Sequence, residues 1–195
     1  MLKTLIALVS IIMMLVGYSF YFRDIFAGRT KPHIFSWLVW GILTAIAFAA
    51  QLHASGGPGS YVTGGTALIS FVIVGLALRR GEKNITTADK LNLGGAVLAG
   101  LLWPFTHSPV LSVLLISLID FLGFLPTIRK SYVKPYEETL IHYVLAGLKF
   151  VLAIIALDTY SIVTWFYPAS LIAANLFFVG MLVVRRRQIA NLATV

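Results

Sequence analysis

Long apolar runs alternate with short polar segments along the whole chain. The runs cover residues 2–22, 34–52, 62–78, 91–105, 110–128, 140–157 and 163–184. A helix that crosses a bilayer needs about 20 mostly apolar residues at ~1.5 Å rise each. Six runs meet that length, and the run at 91–105 is shorter and glycine-rich. The pattern therefore predicts six or seven spanning helices.

The basic residues decide between the two counts. With seven helices, four segments fall on one side. They carry Arg23, Arg29 and Lys31; Arg79, Arg80, Lys83 and Lys90; Arg129, Lys130 and Lys134; and Arg185, Arg186 and Arg187. That is 13 of the 15 Lys and Arg, against Lys3 alone on the other side and Lys149 inside a helix. With six helices the bias is lost after the third. Positive charge favours the cytoplasm. The expected topology is seven helices in an inner (plasma) membrane, N-terminus outside and C-terminus cytoplasmic. The first run, preceded by Lys3, also looks like a signal peptide, but it is long for one and no small-x-small site precedes a polar start. Asn84–Thr86 forms a sequon on the cytoplasmic side, where it carries no glycan.

Composition agrees. Apolar residues make up 59% of the 195, charged residues 11%, and mean hydropathy is +0.92. A soluble domain carries roughly 25% charged residues, so the solvent of this chain is mostly lipid. The pI near 9.9 suggests nucleic acid at first sight. The basic residues, however, lie in short runs between apolar stretches, which is membrane topology and excludes a nucleic-acid partner. There is no cysteine, hence no disulfide scaffold.

The chain also matches itself. A shift of 106 positions aligns residues 5–81 with 111–187 without a gap, placing Gly17 on Gly123, Arg23 on Arg129, Gly41 on Gly147, Phe71 on Phe177 and Arg79–Arg80 on Arg185–Arg186. Each repeat holds three helices. The helix at 91–105 between them lets both repeats share one orientation, and its Gly94, Gly95, Ala96, Ala99 and Gly100 provide small-xxx-small pairs for close packing. The expected fold is an all-α membrane protein of seven transmembrane helices, two parallel three-helix repeats joined by a linker helix (3+1+3). Its parts are residues 1–81, the loop and linker 82–106, residues 107–187 and a cytoplasmic tail 188–195. Parallel repeats are a transporter architecture with the solute site between the halves near mid-bilayer.

The segment Phe124-Leu125-Pro126-Thr127-Ile128-Arg129-Lys130-Ser131-Tyr132 is similar to a helix that ends on a proline before a basic loop, as in the SWEET sugar transporters and the wider PQ-loop group. Lysosomal amino-acid exporters belong to that group, and bacterial nicotinamide-riboside transporters share its layout. In the first half Phe20 stands where Pro126 does, and neither half has a Pro-Gln pair. The stretch from Gly28 to Trp40 looks like a small group of bacterial membrane proteins. The resemblance implies a SWEET-like fold. It also implies a solute-binding asparagine in the third helix of each bundle, matched by Asn175 and replaced by Ile69 in the first half, with Thr66 and Ser70 nearby.

No catalytic set is visible: there is no HExxH, no cysteine nucleophile and no glycine-rich phosphate loop. No enzyme, cofactor or metal is expected. His33, His53 and His107 lie in or beside loops, and His142 near the inner end of the sixth helix. Asp120 and Lys149 sit at similar depth in the fifth and sixth helices, which are consecutive and antiparallel and so are expected as neighbours whose charged heads can meet. Three uses are open for them: a structural ion pair, a proton-coupling or solute-carboxylate site, or Lys149 extended to the interface. Trp37 is expected in the interfacial belt with Trp103 and Trp165. Trp40 lies deeper, where it can stack on a solute. The expected solute cavity is lined by Trp40, Thr66, Ser70, Asp120, His142, Lys149 and Asn175, and Gly17, Gly123 and Pro126 are expected as compliant points. The expected function is alternating-access transport of a small polar solute (sugar, amino acid or vitamin-like), with protons as the candidate coupling ion. A membrane receptor or binding protein of the same architecture is the alternative.

Overall fold

The computed structural model describes residues 1–102, 105 and 108–192, and every regular element among them is helical. Each apolar run forms one helix: α1 (Leu2–Phe26), α2 (Ile34–His53), α3 (Ser60–Arg80), α4 (Thr87–Leu102), α5 (Pro109–Val133), α6 (Leu140–Ile155) and α7 (Ile162–Leu192). Five of them, α1, α2, α3 with its leading turn, α5 and α7, are long and apolar enough to cross a membrane. At 16 residues each, α4 and α6 reach only ~24 Å, short of the ~30 Å hydrocarbon core. The chain is a multi-pass membrane protein by the length and composition of these helices. Trp103, His107 and the last three residues lie outside the described residues.

Local chemistry sets the helix ends. Ser108 caps α5 by accepting from the Leu111 N–H, with Pro109 as first helical residue. Thr86 and Asp89 cap α4 reciprocally: the Asp89 N–H donates to the Thr86 hydroxyl (3.2 Å) and the Thr86 N–H to the Asp89 carboxylate (2.8 Å). Beyond α1, Gly28 takes a left-handed φ of 72° and turns the chain toward Pro32.

The helices are apolar outside and small or polar inside. On α1, Leu5, Leu8, Val9, Ile12, Leu15 and Val16 are exposed, while Ala7, Ser10, Met14, Gly17, Tyr18 and Tyr21 are buried. Lipid solvates the first set. Packing against α6 and α3 requires the second.

Within the first three helices, α3 packs on both α1 and α2; within the last three, α7 packs on both α5 and α6. Across the molecule α1 lies on α6 and α2 on α5, while α4 rests on α5 and α2. Consecutive helices α5 and α6, expected as direct neighbours, instead each pack on α7. Glycines mark the tightest approaches. A methyl on Gly17 would meet Leu145 Cβ at 3.2 Å, and one on Gly123 would meet Val39 Cγ1 at 2.6 Å. These two glycines are thus close-contact points between helices rather than compliant ones, and α5 continues through Pro126. The expected close packing of α4 fails at Gly94 and Gly95, where a methyl would find no neighbouring atom within 4 Å.

Gly59→Ala and Gly123→Ala are expected to lower the thermal unfolding temperature in detergent, since the new methyl meets the Ala153 carbonyl in one case and Val39 in the other. Overpacking of this kind costs about 1–3 kcal/mol. Gly180→Ala, which meets nothing within 4 Å, should raise the temperature by the ~0.5–1 kcal/mol of helix propensity.

Candidate functional site

The buried side chains form two clusters. One holds Val39, Leu43, Val113, Ile116, Phe150 and Tyr167; the other, toward the basic loops, holds Met14, Tyr18, Tyr21, Trp37, Phe124, Tyr143 and Phe178. A cavity of about 50 Å³ lies where they meet. By the ~10–15 Å³ that one water needs, it holds a few waters. Its walls come from six helices. α1 contributes Tyr18, and α2 contributes Trp37 and Trp40. Thr66 and Ser70 belong to α3, and Asp120 and Phe124 to α5. His142, Tyr143, Ala146, Lys149 and Phe150 come from α6, with Leu171, Ala174 and Asn175 from α7. All seven residues expected from the sequence, Trp40, Thr66, Ser70, Asp120, His142, Lys149 and Asn175, line this one cavity.

The expected ion pair between Asp120 and Lys149 is absent: no Asp120–Lys149 contact lies within 4.0 Å among the salt bridges of the described residues. Their helices are separated by α7, so equal depth did not bring the heads together. Each has a neutral partner instead. The Tyr167 hydroxyl of α7 donates to Asp120 Oδ1 at 2.8 Å, and Lys149 Nζ donates to Thr66 Oγ1 at 2.7 Å. Lys149 is 2% exposed, which removes the extended, interface-seeking conformation. Its ammonium lies 4.9 Å from the Tyr18 ring centre and 4.7 Å from that of Phe150, in cation–π range.

Asn175 forms no interhelical hydrogen bond through its amide nitrogen. Nδ2 donates to Leu171 O of its own helix at 2.7 Å. Ser70 donates to Thr66 O at 2.8 Å, and Thr66 to Val62 O at 2.8 Å. The His142 ring sits among Tyr18 (4.7 Å), Tyr21 (4.6 Å), Tyr143 (5.0 Å) and Trp37 (5.9 Å), and its Nδ1 has no hydrogen-bond partner. Trp37 is no belt residue. It is 2% exposed and its indole donates to the Tyr21 hydroxyl at 3.1 Å. Trp165 is exposed at the start of α7, and His53 is exposed at the end of α2.

Contacts close both ends of the helix assembly. At the end bearing the basic loops, buried Glu138 is paired with Lys130 and accepts from Tyr143 (2.9 Å) and Tyr21 (3.3 Å). Lys31 pairs with Glu137 at 2.8 Å, Asp24 accepts from Arg29 (2.5 Å) and Thr139 (2.9 Å), and Arg129 holds Asp89 at 2.8 Å. At the other end, the turn Gly57–Gly59 meets the α6–α7 connection, with Gly59 N–H on Ala156 O (3.3 Å) and Asp158 N–H on Gly56 O (3.0 Å). The ionic network was missed by reading these loops only as basic. The signal was there: five of the seven acids (Asp24, Glu82, Asp89, Glu137 and Glu138) lie in the same segments.

His33, expected at an exposed interface, is fully buried. Its Nε2 lies 3.4 Å from Asp89 Oδ2 without the alignment of a hydrogen bond. Burial holds its imidazole below the ordinary 6.5, against the upward pull of Asp89. Burial also pulls Asp89 and Glu82 upward, but their bonds outweigh it. Thr86 and Arg129 hold Asp89 below 3.8, and Asn84 N–H and Lys134 hold Glu82 below 4.5.

Comparison with protein-family models, curated proteins and solved structures finds no match. What the site can do therefore rests on its own geometry. It offers a carboxyl group, an amino group, an imidazole and aromatic faces to whatever enters.

Two measurements probe this arrangement. Tyr167→Phe and Thr66→Val each strand a buried polar partner and should each cost about 1–3 kcal/mol in unfolding experiments. Acid should also destabilise the basic end. His33, Glu82 and Asp89 each have folded values below their unfolded ones, so their contribution is present at neutral pH and lost as pH falls. The loss begins below 6.5 with His33 and continues below 4.5 and 3.8 with Glu82 and Asp89. A melting curve against pH should show this, and His33→Gln should flatten the first part.

Proposed function

We propose that the chain is an inner-membrane transporter that carries a small polar solute by alternating access between two parallel three-helix bundles, residues 1–81 and 107–187, joined through 82–106. The observation that carries this is the cavity itself, built from both bundles, with different contacts joining the helices at the two ends of the assembly.

Three features support the parallel repeat. Gly17 approaches Leu145 and Gly123 approaches Val39, and both glycines and both partners differ by 106 positions. The cavity walls pair at the same offset: Tyr18 with Phe124, Trp37 with Tyr143, Trp40 with Ala146. The helix neighbours exchange likewise, α1 on α6 matching α5 on α2. The resemblance to SWEET and PQ-loop proteins agrees with this layout. With the basic end at the cytoplasm, α1 begins outside and α7 ends inside. The ionic cluster around Glu138 is then the inner gate and the Gly57–Gly59 turn the outer one.

A receptor that binds without passage is the second reading, favoured by the closure of both ends. Flux separates the two. The chain has no cysteine, so Lys31→Cys with Glu137→Cys can be bridged cleanly across the inner gate. In proteoliposomes a transporter should accumulate at least one labelled sugar, amino acid or vitamin, lose that flux on bridging, and regain it on reduction. Saturable binding with no flux under any condition assigns the receptor role. Glu137→Cys alone should react with an impermeant thiol reagent only from the cytoplasmic side.

A further inference from the structure

We infer that the cavity selects a small zwitterion, with the solute's ammonium facing Asp120 and its carboxylate facing Lys149. This rests on the reading above that the cavity is the solute site.

Asp120 and Lys149 are 3% and 2% exposed and line the same cavity. Neither has an opposite charge within 4.0 Å among the described residues, and each has one neutral hydroxyl partner, Tyr167 or Thr66. A single hydroxyl leaves most of their capacity open: a carboxylate accepts through two oxygens, and an ammonium donates three hydrogens. Unpaired ionisable groups in a bilayer are costly and mark functional sites. A zwitterion pairs both at once and adds no net charge to the interior. A neutral solute leaves both unpaired; a plain anion or cation leaves one unpaired and brings a charge with it.

The neutral polar groups point the same way. The donor hydrogens of Thr66 and Ser70, and one from the Asn175 amide, are bound to carbonyls of their own helices. The ionisable groups with capacity left are Asp120 and Lys149, and His142 adds an unpartnered Nδ1. The aromatic walls then suit the rest of the solute: Trp40 and Phe124, which meet edge to face at 4.9 Å, give the cavity apolar area for a side chain.

The test uses the whole protein in nanodiscs at pH 7. Thermal shift and calorimetry are run with each of the twenty standard L-amino acids, glucose and nicotinamide. At least one amino acid should bind, and glucose and nicotinamide should not. The best amino acid is then compared with its amide, which keeps the ammonium alone, and its N-acetyl derivative, which keeps the carboxylate alone. Each should bind roughly tenfold or more weakly, as expected for loss of one charged hydrogen bond. Asp120→Asn should weaken the amino acid and its amide but spare the N-acetyl derivative, and Lys149→Gln should do the reverse. The derivative series on the unaltered protein stands even where a variant does not fold. If glucose or nicotinamide binds more tightly than every amino acid, or the derivatives bind as well as the parent, the zwitterion is overturned while the reading of the cavity as the solute site stands. If no solute binds or moves, both fall.

Discussion

Inside the hydrocarbon of a bilayer a polar group has no water to turn to, so each one must find its partner in the protein. That constraint orders this molecule from the outside inward. Large apolar side chains such as Leu5, Leu68, Leu118 and Leu176 face outward, and serine, threonine and glycine face the helix contacts. Ser10 donates to Lys149 O at 2.6 Å, Gln51 to Thr164 O at 2.9 Å, and Thr127 to Ser36 at 2.9 Å. Each of these bonds ties one helix to another, across the line between the first and last three helices. The polar interior is therefore also the mechanical link between the halves.

The same constraint gives the charged groups their meaning. At the basic end they meet water, neighbours and one another, and form a network with most carboxylates paired. Glu138 is buried there with Lys130, two tyrosine hydroxyls and no net excess charge. In the cavity the opposite holds: a carboxyl group and an amino group share a small space without meeting. Tyr143 and Tyr21 connect the two regions, since they touch His142 on one side and Glu138 on the other.

The halves are alike in backbone contacts and unlike in chemistry. Where the second half has Asp120, Lys149 and Asn175, the first has Met14, Leu43 and Ile69 at the 106-residue offset. Glycine approach and aromatic walls recur; the ionisable groups do not. Architecture needs only the former, so the unmatched residues are not explained by helix packing alone.

Much was legible in the chain itself. Run length and composition set the number of helices and their lipid exposure, because a bilayer demands long apolar segments whatever their neighbours. Position along the helix was legible in part: rise per residue placed Asp120 and Lys149 at similar depth and Trp40 deeper than Trp37, and Asp120, Lys149 and Trp40 do line one cavity. Azimuth and neighbour choice were not. Reading α5 and α6 as adjacent because they are consecutive produced an ion pair that α7 prevents. Distance from the helix end put Trp37 in the belt and His33 at an interface, while packing buries both. Charge counting sorted the loops to one side but could not pair Lys31 with Glu137 or Arg129 with Asp89. The sequence by itself determined which segments form apolar helices and where along each helix a residue falls, since both follow from local hydrophobicity and a fixed rise. Only the tertiary structure decided which faces meet, because that depends on the close approach of side chains far apart in the chain.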